Sequence, residues 1–177
     1  GDDRGERERR LARGLEADLL VVTCGVSVGE YDLVPDALEK LGVETAFHGW
    51  SVKPGKPTLF GKRNDTSVFG LPGNPLSSAV TFYVLMRPAL AAMKAGGGAV
   101  EPATGIMDEN VSTKEGRLRF KPCRVVERGG EMRLRTVEIN GSADIAGGSR
   151  ADGFIMDPGD VTELSEGQRV RFMRTHT

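Results

Sequence analysis

Apolar residues in the first half of the chain alternate between strand-like runs and helix-like spacing. The run over 18–23 ends at a glycine-containing turn and predicts a strand buried on both faces of a parallel sheet. Leucine and alanine at helical spacing over 33–41 then predict a helix that Gly42 ends. The other expected segments are a charge-dense helix over 4–17, an extended stretch over 43–51, strands over 58–60 and 67–71, and a helix over 76–94 interrupted by Pro88. This order of elements predicts an α/β domain.

The pattern changes beyond the glycine run at 96–98. Extended segments bounded by glycine follow it, and no long helical pattern returns. Candidate strands cover 118–127, 131–139, 153–156 and 168–173, with Gly129-Gly130 as a hairpin turn. We therefore predict two domains, at 1–95 and 99–177, the second being a small β-barrel or sandwich.

Composition narrows the possible partners of this chain. Its 24 Lys and Arg against 25 Asp and Glu leave a net charge of -1, so no overall basic field would attract nucleic acid or an anionic membrane. No apolar run approaches the roughly 20 residues of a spanning helix, and we expect a cytoplasmic protein. Cys24 and Cys123 lie too far apart for a Cys-x-x-Cys site, and His48 and His176 are isolated, so we expect no metal ligand pair among them.

The segment from Thr23 to Asp32 has the features of a phosphate loop. It lies where a strand turns into a helix, so backbone N–H groups and the helix dipole converge on an anion. Gly25 and Gly29 permit unusual backbone angles, Ser27 can donate a hydrogen bond, and the carboxylates Glu30 and Asp32 can hold a divalent metal. Loop glycines alone more often only make turns, so a purely structural loop stays open.

Two further loops carry polar groups at the ends of predicted strands. Lys53 and Lys56 lie on a loop stiffened by two prolines, which suits an oxyanion clamp but also describes an ordinary surface turn. Asn74 lies in the loop over 72–75, which follows an apolar strand and precedes a helix. Because the carboxyl ends of strands in open α/β sheets bind ligands, we expect the three loops to form one pocket for phosphate or an oxyanion with a metal.

At these three loops the chain resembles the MoeA family of molybdopterin molybdenumtransferases, which includes the E domain of gephyrin. The matching segments are Cys24-Gly25-Val26-Ser27-Val28-Gly29-Glu30-Tyr31-Asp32, Lys53-Pro54-Gly55-Lys56-Pro57 and Leu71-Pro72-Gly73-Asn74-Pro75. Their order and spacing match nearly throughout residues 18 to 90. The resemblance implies a partial MogA-like parallel-sheet domain that binds molybdopterin, followed by a small C-terminal β-barrel domain.

The resemblance also implies a reaction and its partners. Adenylylated molybdopterin would bind with Mg²⁺, molybdate would be inserted at the dithiolene, and AMP would be released. By the same resemblance, the catalytic residues are Asp32, Lys53 and Lys56, and the metal ligands are Asp32 and Asp2. The expected substrate-binding residues are Gly25, Ser27, Gly29, Glu30, Pro72, Gly73, Asn74, Pro75 and Ser77. A homodimer and contacts with other molybdenum cofactor synthesis proteins are also expected.

Three departures from the family pattern bear on these expectations. Cys24 occupies a position that is usually glycine. Pro122 lies where the family often has arginine after Phe-x, and Ala146-Gly147 lies where it often has paired serines. Because those positions help to hold molybdate in the family, oxyanion binding here depends on a substitute, for which the candidates are Lys121, Arg124 and Ser149.

Family members carry two further N-terminal domains and additional first strands, so we expect this chain to be a fragment with low or no turnover by itself. One alternative is a gephyrin-type scaffold, which an exposed apolar groove and altered loop lysines would favour. Another is a pterin adenylyltransferase, although those enzymes usually have a different Gly-Gly-Thr-Gly loop and lack the C-terminal β domain.

Overall fold

A computed structural model describes residues 4–26, 33–94, 97, 99–139, 141, 144 and 148–176. The chain divides into two compact units, the first comprising Gly1–Trp50 with Gly55–Asn74 and the second Ser51–Pro54 with Pro75–Thr177. The helical segment after Asn74 is therefore grouped with the C-terminal strands. The predicted domain limits of 1–95 and 99–177 stay a prediction.

The described residues form the following helices and strands. In chain order they are α1 (Arg4–Gly14), β1 (Leu19–Thr23), α2 (Leu33–Lys40), β2 (Glu44–His48), β3 (Val52–Lys53), β4 (Leu59–Arg63), β5 (Thr66–Leu71), α3 (Pro75–Thr81), a π-helical turn (Phe82–Met86), α4 (Arg87–Met93), β6 (Ala103–Met107), β7 (Val111–Ser112), β8 (Leu118–Arg128), β9 (Glu131–Thr136), β10 (Gly153–Asp157), β11 (Glu163–Leu164) and β12 (Arg169–Arg174).

The sheet of the first unit has the order β1-β5-β4-β2 in the described part of the chain. β1 and β5 are parallel, as expected of a parallel-sheet domain, whereas β4 runs antiparallel to both β5 and β2, so the sheet is mixed. The antiparallel pairing of β4 with β5 follows from a tight turn, in which Asn64 takes a left-handed φ of 52°. Two residues are too few for the crossover that parallel strands need.

Helices pack on this sheet through the apolar positions that the sequence spacing indicated. Leu38 of α2 is fully buried with Leu59 and Val68 of the sheet, and Leu11 of the charge-dense helix α1 joins the same cluster. Gly42 takes a left-handed φ of 78° just after α2, as expected of a helix cap. The described strands and helices thus make one apolar core in the first unit.

The second unit contains a closed five-stranded barrel with the order β10-β12-β6-β9-β8, closed by the pairing of β10 with β8. Closure leaves none of these five strands at an open edge. Met107, Cys123, Leu134, Ile155 and Phe172 are fully buried in its centre. The fold class predicted from the sequence, an α/β domain followed by a small β-barrel, is confirmed.

The helical stretch Pro75–Met93 differs in two ways from the expected helix. A π-helical turn interrupts it just before Pro88, which lies in the first turn of α4, where its missing N–H carries little penalty. By length and composition this stretch could also cross a membrane, contrary to the expectation that no apolar run is long enough. Core helices of other proteins meet the same criterion, so the observation is weak evidence for a membrane span.

Candidate anion-binding site

The loops after β1 and β5 meet because these two strands run parallel, with Thr23 opposite Leu71. The Cys24 N–H donates a hydrogen bond to the Leu71 carbonyl at 3.2 Å. A Cβ atom added at Gly73 would lie 2.8 Å from the Sγ atom of Cys24, closer than real Cβ contacts allow. The cysteine that replaces the usual glycine therefore fills the space beside Gly73.

Cys24 also takes a strained backbone conformation. Its φ is 69°, in the left-handed region where a side chain costs about 1–2 kcal/mol relative to glycine. Gly25, predicted to contact substrate, follows with a φ of 70° that glycine adopts freely. The glycine and the cysteine together turn the chain sharply at the end of β1.

His48 anchors the start of the predicted phosphate loop. Its Nε2 atom lies 2.8 Å from the carbonyl oxygen of Val26, so the ring nitrogen donates a hydrogen bond there. Val26 itself is buried. The predicted site residues Ser27, Gly29, Glu30 and Asp32, together with Asp2, lie outside the described residues, and their roles stay predictions.

Hydrogen bonds also brace the lysine loop in the first unit. The carbonyl of Gly55 accepts the indole N–H of Trp50 at 2.8 Å and the hydroxyl of Thr58 at 2.7 Å. The carbonyl of Lys56 accepts the backbone N–H of Trp50 at 3.1 Å. The Lys56 side chain is exposed and forms no hydrogen bond or ion pair with the described part of the chain.

The remaining predicted substrate residues occupy the loop after β5 and the start of α3. Pro72 is buried, Asn74 is half-buried, and Gly73 and Pro75 are exposed. Ser77, in the first turn of α3, is buried. Lys53, in contrast, belongs to the second unit through β3, and its peptide bond to Pro54 is cis.

A cavity of about 460 Å³ in the second unit concentrates positive charge. Four cationic side chains line it, namely Lys53, Lys114, Arg119 and Lys121, and none of the described residues that line it is acidic. The other lining residues are the hydroxyl-bearing Ser112, Thr113 and Thr136 and the apolar Pro54, Val111, Phe120, Pro122, Val137 and Ile139. An arrangement of cations and hydroxyls without a carboxylate favours a bound anion.

Strand pairing explains why these cations converge. β3 pairs in parallel with β8, which places Lys53 opposite Arg119. Lys121 lies two residues farther along β8, and alternate residues of a strand point to the same face. Three cations from two short stretches of sequence are thus brought to one wall of the cavity.

Arg119 is held by the loop that precedes it. Its guanidinium donates hydrogen bonds to the carbonyls of Lys114, of Arg117 at 3.2 Å and of Glu115 at 3.4 Å. These bonds tie the loop over 114–117 to β8. Arg119 therefore shapes the cavity wall and adds its charge to the cavity.

Lys121 is partly enclosed at the cavity wall, with its side chain 22% exposed. Its Nζ atom lies 3.5 Å from the Ser112 carbonyl oxygen and 3.8 Å from Oδ2 of Asp157. Burial is the main factor that lowers the pKa of Lys121, Arg119 and Lys53 lower it further, and Asp157 opposes them. A bound anion would favour the charged form of this lysine.

The three candidate substitutes for the missing arginine and serines lie in different places. Lys121 lines the cationic cavity, whereas Arg124 pairs with Asp152 at 3.3 Å and donates to the Arg150 carbonyl at 3.0 Å. Ser149 lines a separate cavity of about 280 Å³ with Tyr83 and other residues. Of the three, only Lys121 is among the described residues that line the cavity containing Lys53.

Sequence reasoning missed Lys114, Arg119 and Thr113 as members of this cavity. The alternation of Arg119 with Lys121 along a predicted strand was a usable signal for two cations on one face. Nothing in the sequence indicated that the loop carrying Lys114 and Thr113 folds over the same face. Within the described ranges, no three histidine, cysteine or acidic side chains are grouped as a metal site.

Two family profiles match consecutive parts of the chain. A profile described as "Probable molybdopterin binding domain" matches residues 1–92, and one described as "MoeA C-terminal region (domain IV)" matches residues 104–174. A Haemophilus influenzae protein named molybdopterin molybdenumtransferase is 33% identical over 173 residues, covering 96% of this chain and 43% of that protein. The chain belongs to the MoeA family of molybdopterin molybdenumtransferases.

Other members of the MoeA family support this assignment. A Bacillus subtilis molybdopterin molybdenumtransferase is 29% identical, with 89% of this chain and 37% of that protein covered. The crystal structure of a molybdopterin biosynthesis MoeA protein from Pyrococcus horikoshii superposes with a TM-score of 0.75 at 28% identity, covering 98% of this chain and 41% of that one. The chain thus spans about two fifths of the length of the MoeA relatives it matches.

Proposed function

We propose that this chain is the part of a molybdopterin molybdenumtransferase that binds adenylylated molybdopterin and molybdate. The intact enzyme would insert molybdate at the dithiolene and release AMP. The single observation that carries the proposal is the cavity lined by Lys53, Lys114, Arg119 and Lys121 without a carboxylate among its described lining residues. Membership of the MoeA family supports molybdopterin and molybdate as substrates, and the cationic cavity supports the binding of an anion there.

The lysines would act by binding and by charge neutralisation. Lys53 and Lys121 would donate charge-assisted hydrogen bonds to the oxygens of molybdate in the second unit. Lys56, which we propose as a catalytic residue together with Lys53, would stabilise negative charge that develops on phosphate as AMP departs. The apolar wall of Phe120, Val137 and the neighbouring residues would exclude water and strengthen these contacts.

The first unit would hold the adenylylated part of the substrate. We propose that Gly25, Gly73 and Asn74 contact it through the two loops that meet beside Cys24. Mg²⁺ would neutralise phosphate charge as a Lewis acid. We propose Asp32 and Asp2, which lie outside the described residues, as the carboxylates that would hold this ion. We also expect a cytoplasmic homodimer that contacts other molybdenum cofactor synthesis proteins.

Molybdate titration of the intact protein tests the proposal directly. Lys53→Ala and Lys121→Ala should each weaken molybdate binding by at least about tenfold, because each removes a charged donor from the cavity. Lys62→Ala is the matched control, since Lys62 is an exposed lysine on β4. Unchanged affinity in both cavity variants, with circular dichroism like that of the parent, would contradict the assignment.

Catalysis is tested separately by molybdate insertion. Lys53→Ala and Asp32→Asn in the intact protein should abolish insertion while the fold is retained. A scaffold of the gephyrin type would show no insertion in any variant, and a pterin adenylyltransferase would instead form adenylylated pterin from ATP. The match of residues 104–174 to domain IV of MoeA weighs against the adenylyltransferase.

A further inference from the structure

Asp157, at the end of β10, is a carboxylate with no exposed surface. It is not one of the residues that line the cationic cavity, but it contacts two that do, Lys121 and Thr113. A buried carboxylate is costly unless it is paired and hydrogen-bonded. The groups that contact Asp157 therefore show which charges and hydrogen-bond donors stabilise this carboxylate.

Both oxygens of Asp157 have partners. Oδ2 accepts a hydrogen bond from the hydroxyl of Thr113 and lies 3.8 Å from Nζ of Lys121. Oδ1 accepts the backbone N–H of Gly159 at 3.1 Å. The carboxylate thus lies behind the cavity wall, with its orientation set by Thr113 and Gly159 and its charge directed at Lys121.

Lys121 needs a counterion because its other charged neighbours are cations. Lys53 on β3, Lys114 in the loop after β7 and Arg119 on β8 line the same cavity. Burial lowers the pKa of Lys121 most, followed by the charges of Arg119 and Lys53, while Asp157 raises it. In the described structure, Asp157 is the one carboxylate that forms an ion pair with Lys121.

Resting on the oxyanion site proposed above, we propose that Asp157 is a positioning residue that holds the Lys121 ammonium charged at the cavity wall and directs it toward the bound oxyanion. An ammonium group carries three donors. Two polar atoms, the Ser112 carbonyl oxygen and Asp157 Oδ2, lie near Nζ and leave at least one donor for a ligand. Lys121 and Asp157 together would take the place of the arginine that is expected at position 122 from the resemblance to the MoeA family.

This role predicts a particular dependence on pH. A lysine binds an anion strongly while it is protonated, so affinity is retained below its pKa and lost as the pH rises through it. Removal of the Asp157 charge lowers that pKa further, and the loss of affinity moves to lower pH. If Asp157 served only to stabilise the fold, its removal would change the free energy of unfolding. It would not move the pH at which half of the anion affinity is lost.

The first experiment reads the charge of Lys121 without any ligand. Lysines of the intact chain are dimethylated with ¹³C-formaldehyde and titrated by NMR, the Lys121 signal being assigned by its loss in Lys121→Arg. Asp157→Asn keeps the size and an acceptor for Thr113, and it should move the Lys121 midpoint to lower pH. An unmoved midpoint in the folded variant overturns the proposal.

Asp152→Asn is the matched control, because Asp152 is also a barrel carboxylate but pairs with Arg124 at 3.3 Å. The Lys121 midpoint should be the same in this variant as in the parent. If Asp157→Asn fails to fold, Thr113→Val gives a second readout. It removes the hydroxyl that orients Oδ2 of Asp157 toward Lys121 and should also move the Lys121 midpoint to lower pH.

The second experiment follows molybdate binding against pH. Asp157→Asn should weaken binding by about tenfold in the alkaline range and less at lower pH. In a Lys121→Arg background, which stays charged, Asp157→Asn should leave the pH profile unchanged. Absence of molybdate binding in the parent would refute the proposed function, while the NMR titration would still decide the role of Asp157.

Discussion

Cys24 and Cys123 carry the same side chain in opposite surroundings. Cys24 is exposed at the end of β1, whereas Cys123 is fully buried within the barrel. Burial is the main factor that raises the pKa of the Cys123 thiol to about 12, and the nearby carboxylate of Asp152 adds to it. A thiol reacts as its thiolate, so the two cysteines should differ sharply in reactivity.

We predict that a thiol reagent modifies one cysteine of the native protein rapidly and the second only after unfolding. Cys24→Ser should remove the fast reaction, and Cys123→Ala should leave it intact. Mass spectrometry of the labelled peptides checks both outcomes. Equal rates at the two positions in the native protein would show that the barrel interior is accessible to the reagent.

The same pKa shift has a consequence for stability. Because the folded pKa of Cys123 is raised above its unfolded value of about 8.5, the stabilisation is fully present below that pH. It is lost as the pH rises toward about 12, by up to about 1.4 kcal/mol per pH unit, since the unfolded thiol ionises first. This contribution should vanish from the alkaline unfolding profile of Cys123→Ala and persist in Cys24→Ser.

At the scale of elements, the parallel pairing of β1 with β5 decides which loops touch. The sequence indicated polar loops after both strands, and their meeting at Cys24 and Gly73 follows from the register of Thr23 with Leu71. Helix and strand positions were mostly predictable, because apolar periodicity reflects burial directly. The two-residue strands β3, β7 and β11 were missed, since two residues carry no periodic signal, and the five-residue strand β6 was also missed.

The contact between these loops can be tested by a pair of substitutions. Gly73→Ala should destabilise the protein by about 1–3 kcal/mol, because the new Cβ would lie 2.8 Å from Cys24 Sγ. Cys24→Gly should remove most of that penalty, as expected of residues in direct contact. Urea denaturation of the four proteins of the cycle measures the coupling.

Gly148→Ala is a suitable control for this cycle, because the nearest atom to its added Cβ is 3.5 Å away and its φ is not in the left-handed region. It should change the free energy of unfolding little, with or without Cys24→Gly. Additive effects of Gly73→Ala and Cys24→Gly would indicate that the loops are farther apart than the structure places them.

At the scale of the whole molecule, we expect that molybdate binding does not require the parts of the enzyme that molybdate insertion requires. The chain spans 43% of the Haemophilus influenzae relative and 37% of the Bacillus subtilis relative. We predict that the isolated 177-residue chain binds molybdate but shows low or no insertion. A molybdate-insertion assay on this chain alone checks the prediction, with the full-length enzyme as the positive control, and full activity of the isolated chain would contradict it.

The sequence by itself determined the α/β and β-barrel organisation, because apolar periodicity and glycine turns are local properties. It also determined the family, through short motifs whose order and spacing are read directly along the chain. It also led to the predictions that Lys53 binds an anion and that Lys121 is one of three candidate substitutes for the missing arginine; both stay predictions.

Only the tertiary structure placed Lys121, and neither Arg124 nor Ser149, beside Lys53 among the described lining residues of the cationic cavity, and it placed Asp157 against Lys121. These choices depend on strand register and barrel closure, which pair Lys53 with Arg119 and place the end of β10 beside β8. Register is set by the packing of all five barrel strands together. A charge pair made by residues 36 positions apart therefore has no local signature, and it appears only when the barrel closes.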